Sequence, residues 1–322
     1  MRDITAILIG RLGDLIVATP LLRSLKQRYP GVRLKLVVSS LCRDAVGMIP
    51  FVDYYEVLHR VHHIGQNFML CESLFRGPCD LALDLNPSFS RTSAALMAAV
   101  RKAPVKLGFE KKKWNKVFTE TIPAPKDDEP MLARYARLAA RLGAPYEPRT
   151  ELSLRPKDFE QADMLLEGIA PGKRVLVHAG NFKKFDNRWP EEKFAALIDR
   201  MKEVEGVRPI LLAGPGELEP VTAIAERSKG GVRVVSPPSL GASGALMKRM
   251  DLVVLNITGT THLAAALGSP TFGLYAGYTN AVWHPPGDLH RGVVSKSWTS
   301  CRDISVEEAW AALAPLLKNG TK

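Results

Sequence analysis

Residues 4–20 read ITAILIGRLGDLIVATP. The run 4–9 has the length and composition of a strand buried on both faces of a parallel sheet. Gly10 and Gly13 then permit a tight turn where backbone can approach a ligand, and Asp14 follows at once. Behind it Leu15, Ala18, Leu21, Leu22 and Leu25 recur at helical spacing. Strand, glycine turn and helix with a carboxylate at the elbow predict an open α/β sheet, in which ligands bind at the carboxyl ends of the strands. Two readings of Asp14 stand side by side. Asp is a favoured helix N-cap, and a carboxylate so placed also suits a general base that takes a proton from an attacking hydroxyl.

The same grammar continues outward. Strand patterns recur at 33–39, 54–58, 80–85 and 105–109, with helical patterns at 46–49, 90–100 and 131–142. Residues 59–79 show no clear period. Their His59, His62, His63, Cys71 and Cys79 do not make a metal site, since adjacent residues such as His62 and His63 point apart in either regular structure. Prolines 145, 148 and 156 mark a linker. Strands are then expected at 174–178, 209–213, 232–235, 252–255 and, last, 271–275, with helices at 157–167, 190–203, 218–229, 243–250 and 261–267. Ser305 and Glu308 form a capping box for a final helix ending near Lys318. Alternation in both halves predicts two doubly wound parallel-sheet domains, 1–150 and 151–322, facing a cleft.

Composition narrows the class. The chain has 322 residues, 46% of them hydrophobic, enough for two packed cores. Its four cysteines form no C-x-x-C pair, so neither zinc nor a disulfide framework is indicated, and a reducing cytoplasm fits. Arg11 and Asp14 interrupt the first apolar run, so no signal peptide is expected. The net charge is +11, and residues 1–150 carry most of it, with 23 Lys and Arg against 14 Asp and Glu. Such a field favours anionic partners, a phosphorylated glycolipid or a membrane surface among them. Nucleic acid is not expected, because no recognition module or regular aromatic platform accompanies the charge. The densest basic stretch, 91–116, includes Lys111, Lys112 and Lys113. It reads either as an acceptor-binding surface or as a solvated loop.

Three segments of the second half converge on nucleotide chemistry. His178-Ala179-Gly180-Asn181 ends one strand, with Lys183, Lys184, Asn187 and Arg188 close behind. Gly214-Pro215-Gly216-Glu217 ends the next, where Glu217 suits ribose hydroxyls. Thr258-Gly259-Thr260-Thr261-His262 lies between a strand and a helix N-terminus, a place that favours phosphate. Thr258 and Thr261 also read as caps, and His262 as a histidine satisfied within the fold.

Taken in order, these motifs resemble glycosyltransferase family 9, the ADP-heptose:lipopolysaccharide heptosyltransferases. The resemblance covers nearly the whole chain. It rests on ILIGRLGDLIVATPLLRSLKQRYP at 7–30, DLALDL at 80–85, KLGF at 106–109 and HAGN at 178–181. RWP at 188–190, AGPGE at 213–217, TGTTHLAAALGSP at 258–270 and LYAG at 274–277 complete it. It implies the GT-B fold: a first domain that binds the acceptor, a second that binds the nucleotide sugar, and a last helix packing back on the first. It implies inverting sugar transfer without metal or other cofactor, from a donor such as ADP-heptose to a phosphorylated lipopolysaccharide inner-core acceptor. The setting is cytoplasmic, at the inner face of the inner membrane. The family's base falls on Asp14, its ribose contact on Glu217 and its diphosphate turn on 258–262. Asn181, Lys183, Asn187, Arg188 and Gly214 complete the expected donor set, and Arg11, Gly13 and Lys111–Lys113 the acceptor set. Two positions depart from the family pattern. Asn187 stands where a Lys is usual, and Ile257 where an Asp is usual. They open a second reading, a member that uses another donor sugar or binds without turnover.

Overall fold

The opening apolar run forms β1, Asp3–Leu8, with every residue buried. In the computed structural model, residues 1–180 and 188–318 are described, with backbone alone at Lys112 and Lys113. The chain divides into two units, Met1–Leu152 and Ser153–Lys322. In the first, β1 is joined by β2 (Arg33–Ser39), β3 (Tyr54–Leu58), β4 (Leu81–Asp84), β5 (Val105–Phe109) and β6 (Glu120–Ile122). Among the described residues they make a six-stranded parallel sheet in the order β3-β2-β1-β4-β5-β6. The second unit holds β7 (Lys173–His178), β8 (Val207–Leu212), β9 (Arg233–Val235), β10 (Leu252–Asn256), β11 (Thr271–Tyr275) and β12 (His290–Val294). Its order is β9-β8-β7-β10-β11-β12, the same winding repeated. In each sheet the order reverses beside the first strand, between β1 and β4 and between β7 and β10. Those switch points are where doubly wound sheets open a crevice.

Most predicted elements appear, and the differences are these. The helix expected at 46–49 lies earlier, at Arg43–Val46, and an unexpected helix, Gly277–Trp283, follows β11. The helix after Asp14 is two helices, Leu12–Val17 and Thr19–Arg28. Pro20 has no N–H for the Ile16 carbonyl, and the Thr19 hydroxyl donates to that carbonyl instead, at 2.7 Å. The stretch 59–79 is not irregular; it contains the helix Ile64–Arg76. Its Leu70 and Leu74 face the core beside Leu96, Met97 and Val100, while other apolar side chains face out, which blurs the period. Strand β6 is only three residues long. The expected last strand, Thr271–Tyr275, is followed by β12, whose HRGVV opens with polar residues and pairs with β11 along its full length.

The final helix, Val306–Lys318, buries Ala309, Leu313 and Leu317 in the core of the second unit. Its capping box is present: Glu308 accepts from the Ser305 N–H at 2.8 Å, and the Ser305 hydroxyl accepts from the Glu308 N–H at 3.0 Å. Among the described residues no helix is long and apolar enough to cross a membrane.

The charged stretch 91–116 is partly interior. Lys111 is buried, and its ammonium meets the fully buried carboxylate of Asp84 at the end of β4. The same carboxylate accepts from the Ser93 hydroxyl at 2.6 Å, the Asn86 N–H at 3.0 Å and the Asn86 side-chain amide at 2.7 Å. Lys106 donates to the Met97 carbonyl at 2.8 Å, and burial lowers its pKa. Replacing Lys111 by Met strips the counter-charge from a buried carboxylate, which costs about 3–5 kcal/mol. Urea unfolding should show that loss, and a loss below about 1 kcal/mol, the scale of a surface pair, would contradict a structural role for Lys111.

Candidate active site

In the first unit the site is the carboxyl end of β1. Arg11 precedes the helix Leu12–Val17 and Asp14 is its third residue, so Asp14 is not the N-cap. Its Oδ2 reaches back to accept from the Arg11 N–H at 2.8 Å. That is the acidic half of a capping box, and it fixes the carboxylate over the turn. Gly10 makes the approach possible: a Cβ there would lie 2.8–2.9 Å from the Asp14 side chain. Gly10 is itself held from β2, because its carbonyl accepts from the Ser39 hydroxyl at 2.6 Å. Gly13 is buried in the same helix, Arg11 is exposed and Asp14 is half-buried.

Asn86 ties this turn to the neighbouring strand. Its Oδ1 accepts from the Ile9 N–H at 2.9 Å, and its amide donates to the Ile7 carbonyl at 3.1 Å. Tyr135, fully buried, donates to the Leu85 carbonyl at 3.2 Å. Burial holds that phenol well above its ordinary pKa, with the nearby charges of Asp14 and Asp84 pushing the same way. The turn is therefore built on satisfied backbone groups. Neither Asn86 nor Ser39 was singled out from the sequence. The signal was present, an Asn two residues past a buried strand and a Ser at a strand end, but such residues are common in loops.

The second unit repeats the device at β7 and β10. Asn256 closes β10 and is fully buried. Its amide donates to the carbonyls of Ala179 at 3.0 Å and Gly180 at 3.1 Å, and its Oδ1 accepts from the Trp189 N–H at 3.1 Å. Trp189 is fully buried and donates its indole N–H to the Ile304 carbonyl at 2.8 Å. Arg188, itself buried, is thus seated beside a rigid anchor, where it pairs with Glu191 at 3.3 Å. Asn181, Lys183 and Asn187 lie outside the described residues.

At the end of β8, Glu217 folds back over the Gly214 turn. Its Oε2 accepts from the Gly214 N–H at 3.0 Å and from His178 Nε2 at 3.2 Å. A Cβ at Gly214 would stand 2.7 Å from that oxygen. In sequence His178 is one residue of the HAGN motif; in the structure it positions Glu217.

After β10, Thr258 caps the helix Gly259–Ala266, its hydroxyl accepting from the Thr260 N–H at 3.2 Å. Thr261 is fully buried; its hydroxyl accepts from the Thr258 N–H at 3.1 Å and donates to the Asn256 carbonyl at 3.2 Å. His262 is also interior, its ring 5.6 Å from Trp283. Thr258, Gly259 and Thr260 remain half-exposed at the turn. Ile257 is buried, and a Cβ on Gly273 of β11 would lie 2.8 Å from its Cδ1, so its side chain packs on the sheet. A separate cavity of about 430 Å³, lined by Glu167, Lys202, Val207, Arg208 and Arg233 among others, opens at the amino ends of β8 and β9. It lies at the opposite edge from these loops.

Two Rossmann-like units in one chain, each with its polar loops at the carboxyl edge of a parallel sheet, define the GT-B class of glycosyltransferases. The chain belongs to glycosyltransferase family 9 (heptosyltransferase), whose family model matches residues 68–310. It is 22% identical over 301 residues to lipopolysaccharide heptosyltransferase 3 of Escherichia coli, covering 85% of this chain and 83% of that protein. Among solved structures it is similar to a family 9 glycosyltransferase from Veillonella parvula, with a TM-score of 0.86, 20% identity and coverage of 98% and 97%. It is also similar to ADP-heptose LPS heptosyltransferase II of E. coli, with a TM-score of 0.80, 21% identity and 99% of each chain. At these identities the structural likeness carries the fold.

The interior setting of His262 has a consequence for stability. Burial, helped by the charge of His290, lowers its pKa to about 4, and burial lowers that of His290, whose Nδ1 is 2.9 Å from the Thr271 hydroxyl, to about 4 as well. Unfolded histidine titrates near 6.5. Above roughly pH 6.5 both states are neutral; as pH falls toward about 4 the unfolded chain gains protons that the folded chain refuses. Stability should therefore drop on acidification by on the order of 3 kcal/mol per ring. Urea midpoints at neutral pH and near pH 4.5 check this, with His262→Gln flattening the slope; an equal slope in wild type and variant would contradict it.

Proposed function

We propose that this chain transfers heptose from ADP-heptose to a phosphorylated inner-core lipopolysaccharide acceptor, at the inner face of the inner membrane, with inversion and without a metal ion. Asp14 is the general base. The observation that supports this most is the seat of its carboxylate: at the sheet's switch point, over Gly10, oriented by the Arg11 N–H at 2.8 Å. ADP-heptose and lipopolysaccharide stand in the names of the E. coli relatives; the phosphorylated inner core is what the family resemblance implies.

In the reaction an acceptor hydroxyl attacks the anomeric carbon of the donor sugar. A new carbon–oxygen bond forms there as the bond to the diphosphate breaks, and Asp14 takes the hydroxyl proton. Aligned this way, a base contributes about 10²–10⁴ in rate. Negative charge develops on the leaving ADP, where preorganised positive charge stabilises it. The N-terminus of the helix Gly259–Ala266, with Thr258 and Thr260, and the guanidinium of Arg188 are assigned that task. Thr261 and His262, both interior, support this turn from beneath. Glu217, held by Gly214 and His178, is assigned the ribose hydroxyls. Asn181, Lys183 and Asn187 are assigned to the donor side as well. On the acceptor side Arg11 and Gly13 flank Asp14, and Lys112 and Lys113 offer charge; Lys111 serves by holding Asp84.

Ile257 favours a second reading. An apolar, inward-packed side chain, where the resemblance implies an aspartate, removes a contact to the donor sugar and fits a different sugar or binding without turnover.

Transfer from ADP-heptose and from other ADP- and UDP-sugars, followed by mass spectrometry, separates these. Turnover with ADP-heptose is expected, and Asp14→Asn should lower kcat by roughly 10²–10⁴-fold with folding and donor affinity retained. Near-wild-type turnover in that variant would remove Asp14 as base. Donor binding without product from any sugar would favour the second reading.

A further inference from the structure

We propose that the outward face of the helix Ile64–Arg76 is the surface by which this protein docks on an anionic lipid bilayer. The proposal deepens the reading of a lipid-borne acceptor and rests on it. Ile64, Phe68, Cys71 and Phe75 recur at i, i+4, i+7 and i+11, a single helical stripe about 16 Å long. Ile64 is 76% exposed, Phe68 69% and Phe75 49%, and Val61 in the preceding loop is 89% exposed. The fold does not require this stripe, because the same helix already buries Leu70 and Leu74 on its other face. Large apolar side chains gathered on one exposed face mark an interaction surface.

The charges around the stripe select the partner. Arg60, Arg76, Arg101 and Lys102 are all exposed. The Arg101 guanidinium lies 5.2 Å from the Phe75 ring centre, and Lys102 reaches the Arg76 carbonyl at 2.5 Å, so these cations border the stripe directly. Glu72 is the acidic residue within the helix, and Arg76 pairs with it at 3.1 Å. Aromatic side chains flanked by cations match the acyl–headgroup boundary of an anionic leaflet. Topology gives the orientation. The helix starts at the carboxyl end of β3, and in a parallel sheet that is the edge at which β1 delivers Asp14. A bilayer on Val61, Ile64 and Phe68 therefore lies toward the edge where a lipid-anchored acceptor meets the base.

The test is co-sedimentation of the full chain with vesicles of phosphatidylcholine alone or with about one third phosphatidylglycerol, without donor or acceptor. Wild type should partition onto the anionic vesicles at least roughly 10-fold better than onto neutral ones, and less so at high salt. Phe68→Ser with Phe75→Ser should cut binding at least roughly 10-fold, and Arg60→Gln with Lys102→Gln should erase the preference for the anionic lipid. Melting curves establish that the variants fold, and transfer to a water-soluble, delipidated acceptor should stay at the wild-type rate. Failure of wild type on that acceptor would count against the transfer reaction, whereas the vesicle arm reads docking alone. Wild type that ignores anionic vesicles, or a serine variant that binds them as well as wild type, would overturn the proposal. So would self-association of wild type, lost in the serine variant, in place of vesicle binding, since a second copy would then be the occupant.

Discussion

Each half of this molecule depends on a buried asparagine at the end of the strand next to its first. Parallel strands end with main-chain groups that have no further strand to bond, and buried groups of that kind cost about 1–3 kcal/mol each if left unmade. Asn86 supplies partners to Ile7 and Ile9, and Asn256 to Ala179, Gly180 and Trp189. Because β1 pairs with β4 and β7 with β10 in the same register sense, the two clips occupy equivalent places in the two sheets. They hold open the switch points at which the glycine turns leave the sheet. Polar side chains are used here because an apolar residue of the same size would leave the turns with unmet donors and acceptors.

On that platform the two carboxylates at the strand ends are held by neighbouring groups. Asp14 leans on the Arg11 N–H above Gly10, whose carbonyl is in turn held by Ser39. Glu217 leans on Gly214 and His178. In both cases a missing Cβ lets a carboxylate lie against backbone. Such supporting contacts are what keep a catalytic constellation within working geometry. The interior ion pair of Asp84 with Lys111 has the same purpose one layer deeper, bracing the end of β4 beside Asn86.

Much of this was legible in the sequence, and the illegible parts have reasons. Buried parallel strands announce themselves as apolar runs, so β1, β2 and the strands beside the switch points could be read directly. The strand-end positions of Asp14, Glu217 and the Thr258 turn were legible because each follows a strand and carries glycine. Lys111 was not: a lysine in a basic run looks solvated, and only the fold brings Asp84 beneath it. His262, by contrast, reads from its place in the helix as a histidine satisfied within the fold, and it does turn inward against Trp283. The helix Ile64–Arg76 escaped because it is apolar on two faces, one for the core and one exposed. Strands β6 and β12 escaped because ETI is too short for a period and HRGVV opens with polar residues.

The proposed mechanism turns on one displacement at one carbon, with Asp14 as base and no covalent intermediate. The direct measurement is the anomeric configuration of the transferred sugar, read by the one-bond carbon–hydrogen coupling in the purified product and compared with that of the ADP-heptose supplied. Inversion is the expected result. Retention of configuration would contradict a single displacement and with it the role given to Asp14.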